Sequence, residues 1–110
     1  MNGDLRQLTA VDRVIHEPAR LLIVAILSAA ESADFLYLLR ETGLTKGNLS
    51  AHLARLEQSH YVEIEKSYRG KIPQTRCRLT PAGRAAFTAY HQQLRQLMAQ
   101  LPPGGPPPDS

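Results

Sequence analysis

The chain has 110 residues, of which 43% are hydrophobic, with a formal net charge of +3 and one cysteine. That is one domain's worth of chain with enough apolar residue to bury a core. The lone Cys77 excludes an intramolecular disulfide, no CxxC or HExxH spacing offers a metal site, and the first residues, with Asp4 and Arg6 and no apolar run, are unlike a signal peptide.

Leu8, Val11 and Ile15 mark a first helix ending near His16. Pro18 suits the first position of a second helix, where its missing N–H costs nothing. That helix, Pro18 to Ala30, is apolar nearly all round, which predicts a place at the centre of the domain. Its run Leu21 to Leu27 is bounded by Arg20 and Glu31, far short of the roughly 20 residues of a membrane span. No membrane partner is expected, and a cytoplasmic location is. Asp34 caps a third helix carrying Phe35, Leu38 and Leu39, and Gly43 ends it. Thr45 caps a fourth, on which Leu49, Leu53 and Leu56 share one face. The few residues between these two helices, one a glycine, match a helix-turn-helix.

Alternation in Tyr61 to Lys66 reads as a strand with Thr75 to Leu79 as its partner, joined by a loop of Arg69-Gly70-Lys71 with Pro73. Thr80 caps a final helix that begins at Pro81, and Phe87, Tyr90, Leu94, Leu97 and Leu101 follow as a heptad seam. Residues 102–110 hold five of the eight prolines plus Gly104 and Gly105, the composition of a disordered or polyproline tail outside a domain of residues 1–101. The expected fold class is mainly α with a small β-hairpin wing, a winged helix-turn-helix.

The outer face of the fourth helix carries Gly47, Asn48, Ala51 and Arg55, edged by Lys46, Ser50 and His52. An ordinary solvated helix would carry Glu–Lys pairs there. Such a face fits DNA: Gly47 and Ala51 leave no bulk against the groove floor, Asn48 suits adenine, and Arg55 or Lys46 suits guanine or phosphate. A merely solvated face would leave a mid-helix glycine, costing about 1 kcal/mol relative to Ala, without a reason. The charge agrees, for Lys46 to Arg84 holds eight Lys/Arg against three acids, net +5, whereas residues 1–45 hold four against six, net −2. That concentration is an electrostatic footprint for nucleic acid. With Thr45, and with Lys66, Arg69, Lys71 and Arg76 of the hairpin, these residues form the candidate DNA contact. His16, His52, His60 and His91 have no compact metal spacing, and Cys77 reads as a small buried hydrophobe.

Val14-Ile15-His16-Glu17-Pro18-Ala19-Arg20-Leu21, Gly43 to Glu57, Tyr61 to Gly70 and Leu79 to Arg84 together resemble the small, stand-alone ArsR/MarR-like transcription regulators. The resemblance implies a homodimer on a pseudo-palindromic site, the fourth helix in the major groove and the wing on the flanking backbone or minor groove. The expected dimer seam is Leu8, Val11, Ile15, Phe87, Tyr90, Leu94, Leu97 and Leu101. His60 departs from the pattern, standing where such proteins usually carry Gly to close the recognition helix. The paired cysteines or carboxylate/His sets of metal-sensing members are missing, so metal sensing is not implied. The expected function is a sequence-specific DNA-binding regulator, most simply a repressor, with double-stranded DNA and a second copy as partners. The alternative is a winged helix whose basic face binds an acidic protein. No nucleophile–base set, paired carboxylates or phosphate-cradling loop points to an enzyme, no cofactor is implied, and so compact a domain leaves little room for a small-molecule effector.

Overall fold

The computed structural model describes residues 10–101 and Gly104. Four helices, α1 (Pro18–Ser28), α2 (Phe35–Thr42), α3 (Lys46–Gln58) and α4 (Pro81–Ala99), surround a three-stranded antiparallel sheet of β1 (Ala33–Asp34), β2 (Val62–Arg69) and β3 (Ile72–Leu79), in the order β1-β3-β2. This is a winged helix, with the β2–β3 hairpin as the wing. The main core collects Ile23, Val24 and Leu27 of α1, Leu38 of α2, Leu49, Leu53 and Leu56 of α3, and Val62, Cys77 and Leu79 of the sheet.

Local signals account for most helix ends. Pro18 occupies the first turn of α1, and the Glu17 carboxylate accepts the Arg20 N–H at 2.7 Å. Asp34 caps α2, and Gly43 closes it in the left-handed region at φ +70°. Thr45 Oγ1 accepts the Asn48 N–H at 3.1 Å, so three residues separate α2 from α3. Thr80 Oγ1 likewise accepts the Gly83 N–H at 2.9 Å at the start of α4.

The far end of α3 is closed by His60 at φ +64°. Its N–H donates to Glu57 O at 2.9 Å and the Tyr61 N–H to Leu56 O at 3.0 Å, the paired bonds of a Schellman closure. Thr80 Oγ1 donates to His60 O at 2.6 Å, which fixes the turn against the start of α4. A non-glycine residue therefore serves where Gly is usual.

Four expectations change. Residues 11–17 run as turns and bends instead of a helix ending near His16, and Leu8 lies outside the described residues. The Asp12 carboxylate takes the Val14 and Ile15 N–H groups at 2.8 and 3.3 Å, offering the backbone an alternative to helical bonds, while Pro18 holds Glu17 extended. The second helix stops at Ser28, short of Ala30. The wing strands are longer than expected, and their connection shrinks to the two-residue turn Gly70-Lys71, with Gly70 at φ +67°. Pro73 belongs to β3, opposite Tyr68, where β3 has no neighbour on its other side and the missing N–H leaves no ladder bond unmade. Strand β1 was not anticipated, being two residues paired at Ala33↔Cys77 and Asp34↔Arg76. The tail beyond Leu101, apart from Gly104, lies outside the described residues.

Candidate nucleic-acid interface

Burying Leu49, Leu53 and Leu56 turns the other face of α3 outward, and Lys46, Gly47, Asn48, Ser50, Ala51 and Arg55 are all exposed. A Cβ added at Gly47 would meet nothing within 4 Å. No packing among the described residues therefore asks for glycine there; a surface approaching from outside would. Exposed Thr45 lies at the same end, its hydroxyl committed to the cap.

A groove of about 310 Å³ separates α3 from the wing, lined by Ser50, Leu53 and Ala54 on one side and Ile64, Lys66 and Thr75 on the other, with Phe35 between. Opposed residues of an antiparallel pair share a face. Val62/Leu79, Ile64/Cys77, Lys66/Thr75 and Tyr68/Pro73 thus form the inner face, which leaves the core at Lys66 and continues outward. Glu63/Arg78, Glu65/Arg76, Ser67/Gln74 and Arg69/Ile72 form the outer face.

The cations divide into two groups. Arg78 pairs with Glu65 at 3.2 Å and Glu63 at 4.0 Å, and Arg84 donates to the Ser28 and Ala30 carbonyls at 3.3 and 3.0 Å. Arg76, an expected contact, is half-buried and donates to Ser32 Oγ from Nε at 3.1 Å and a terminal nitrogen at 2.9 Å, which ties it to the segment between α1 and β1. His52, also expected, turns its ring toward α1, with Nδ1 3.3 Å from an Arg20 guanidinium nitrogen and 3.9 Å from a Glu17 carboxylate oxygen. Both side chains are turned into their own subunit.

Lys46, Arg55, Lys66, Arg69 and Lys71 remain exposed and form no ion pair among the described residues. Arg55 holds only the neutral Ser59 hydroxyl, at 3.1 Å. These five lie on α3 and the outer half of the wing, whereas the other exposed cations with no ion pair or side-chain hydrogen bond among the described residues, Arg13 and Arg95, stand apart before α1 and on α4. Tyr68 and Ile72 beside the turn, which sequence patterning does not single out, are 73% and 69% exposed. Their signal is apolar residues placed just past the point where strand alternation stops facing a core.

The expected dimer seam also divides. Val11, Ile15 and Tyr90 are buried on one another, with Leu21, Phe87 and Leu94 packed against them, and His16 Nδ1 and the Tyr90 hydroxyl share a 2.7 Å hydrogen bond. These residues support α4 from beneath. Leu97 is buried, whereas Met98, and Leu101 just past the helix, are exposed. Among the described residues no group of three or more His, Cys, Asp or Glu gathers where a metal could bind, and no helix is long and apolar enough to cross a membrane.

Residues 19–98 match the family described as winged helix DNA-binding domain. The chain is 36% identical over 90 residues to an uncharacterized protein of Methanocaldococcus jannaschii, covering 81% of this chain and 97% of the relative. It superposes on a transcriptional regulator homologue from Pyrococcus horikoshii with a TM-score of 0.80 at 23% identity, covering 86% and 94% of the two chains. Diamide-treated YodB from B. subtilis follows at TM-score 0.70 and 20% identity, covering 82% and 88%. The structural neighbours are transcriptional regulators of the ArsR and MarR families.

Proposed function

Because the chain belongs to the winged helix DNA-binding domain family, we propose that it is a sequence-specific transcriptional regulator, a repressor in its simplest action, binding a pseudo-palindromic operator as a homodimer. The observation that carries this reading is the bulk-free outer face of α3, with Gly47 opening onto empty space beside Lys46, Asn48 and Arg55. In this reading α3 enters the major groove, Asn48 meets an adenine edge, Lys46 and Arg55 meet guanine or phosphate, and Lys66, Arg69 and Lys71 hold the flanking backbone. Thr45, Ser50 and Ala51 complete the contact. His52 and Arg76 act as positioning residues, one bracing α3 on the start of α1 and the other bracing the wing on Ser32. Leu94, Met98 and Leu101 supply the dimer face.

Selection from a random duplex library followed by footprinting tests this. The expected product is a two-fold symmetric site whose half-sites lie about 34–36 Å apart, or a multiple of that. Asn48→Ala should change the preferred base at one position per half-site and weaken binding to the wild-type operator by about 1–3 kcal/mol. Gly47→Leu should abolish specific binding by lifting the helix off the groove floor. Leu53→Ala, in the core, should cost about 2–5 kcal/mol of stability and leave the preference of folded protein unchanged. If both outer-face variants bind like wild type, α3 is not the reader and docking to an acidic protein becomes the better account.

A further inference from the structure

We propose that the tip of the wing is an apolar wedge that enters the minor groove of duplex DNA and partly opens a base step, so that it selects flexible sequence flanking the site. This inference rests on the DNA-binding reading above and adds a second means of sequence discrimination.

Tyr68 and Ile72 are the two most exposed large apolar side chains among the described residues. The register places Tyr68 with Pro73 on one face of the ribbon and Ile72 with Arg69 on the other. The tip therefore carries apolar surface on both sides of the Gly70-Lys71 turn. Strand propensity favours Tyr and Ile anywhere in a hairpin, and so does not explain this placement. Nearer the base, the inner face is apolar because it meets the core, and the outer face is charged, with Glu63, Glu65, Arg76 and Arg78. Past the core, apolar side chains return on both faces with nothing among the described residues to cover them.

Charge identifies the occupant. From Lys66 to Arg78 the sequence has no acid, and Lys66, Arg69 and Lys71 surround the apolar pair without an ion-pair partner among the described residues. A polyanion with an apolar interior between rows of charge fits that arrangement. Two paired strands lie about 4.8 Å apart, and the minor groove is roughly 6 Å wide, so entry is tip first, with the cations on the flanking phosphates. Apolar side chains driven between base edges unstack a step and kink the duplex. Pyrimidine–purine steps yield most cheaply, which turns deformability into preference.

The test uses the operator selected by the full chain, with a fluorescent adenine analogue, quenched by stacking, placed at successive flanking positions. Wild type should raise the emission at one step per half-site and favour a pyrimidine–purine step there. Tyr68→Ser with Ile72→Ser should abolish both effects and weaken binding about tenfold. The salt dependence should stay unchanged, because no cation is removed. Tyr68→Phe, which keeps the ring, should behave as wild type. Unchanged emission at saturating wild-type protein, or a double variant that keeps wild-type affinity and flanking preference, would overturn the wedge. If operator binding persists and still depends on Asn48 in that case, only the wedge falls. If wild type selects no duplex at all, the DNA-binding reading falls and the wedge falls with it.

Discussion

Cys77 faces Ala33 on one neighbour strand and Ile64 on the other, fully buried in the main core. Burial raises its thiol to about 11, with Asp34 and Glu57 adding to the effect and Arg76 opposing it. A thiol reagent should therefore label the native protein only as fast as the structure opens, and at once in denaturant. Tyr61 is raised to about 12, first by donating its hydroxyl hydrogen to the Asp12 carboxylate, then by burial and the Asp12 charge. Both groups hold their protons more tightly folded than unfolded, so their contribution is complete below the ordinary values of 9.0 and 10.0 and is lost as pH rises through about 11 and 12. Stability measured by urea titration should accordingly fall with increasing alkalinity across that window. Tyr61→Phe should flatten the upper part of the fall, at a cost of about 1 kcal/mol at neutral pH. A variant whose curve simply parallels wild type would show that Tyr61 does not drive it. Residue roles fixed by distant partners were not legible in the sequence: His52 and Arg76 look like free surface donors until Arg20 and Ser32, 32 and 44 positions away, are brought against them.

At the scale of elements, the ends of α3, β2 and α4 meet at one junction. The Tyr61 carbonyl accepts the Thr80 N–H at 3.0 Å, and an added Cβ on Gly83 would stand 2.2 Å from that same oxygen. Backbone cannot yield as a flexible side chain can. Gly83→Ala should force α4 off the sheet and cost about 1–3 kcal/mol, read as a lower denaturation midpoint. His60→Gly, next to the residue that supplies that carbonyl, should be tolerated or stabilising, since it relieves the left-handed side chain that the Schellman bonds now hold. The wing offers a separate check. Replacing Arg69 and Lys71 by Ala should weaken binding to all duplex sequences alike and reduce the slope of log K against log salt by about 0.9 for each phosphate no longer neutralised. An unchanged slope would mean that neither cation meets a phosphate. Elements with chemical punctuation were legible, because Pro18, Asp34 with Gly43, Thr45, and Thr80 with Pro81 each act on backbone groups within a few residues. Strand β1 was not, since two residues carry no alternation and its pairing depends on β3 far along the chain. The helix expected up to His16 misled for the opposite reason: Val11 and Ile15 do share an apolar side, but over the described residues Asp12 spends its carboxylate on the Val14 and Ile15 N–H groups.

For the whole molecule, the arrangement of α4 sets what the subunit can reach. Its first part is held on the Val11–Ile15–Tyr90 cluster, and beyond Tyr90 all of its residues are exposed except half-buried Leu94 and buried Leu97. Leu94 and Met98 are four residues apart and so share a stripe with His91 and Arg95, and Leu101 continues it past the helix end. In the proposed reading one copy of α3 would span one half-site. A second copy joined through this stripe would supply the other, and linkage of two such sites raises avidity by about 10²–10⁴ with no further interaction with DNA. Wild type should therefore sediment as a dimer at tens of micromolar, roughly the concentration at which a dimer useful for DNA binding must already be assembled. Met98→Glu, at an exposed position, should weaken the dimer with the fold unchanged by circular dichroism. Leu94→Glu added to it should yield a monomer. That monomer should lose most of its affinity for the two-half-site operator yet match wild type on a single half-site, a contrast that separates failed dimerisation from damage to α3. If wild type is monomeric under these conditions, or if the double variant binds the full operator undiminished, each subunit acts alone and the symmetry expected of the operator should be absent from the selected sequences.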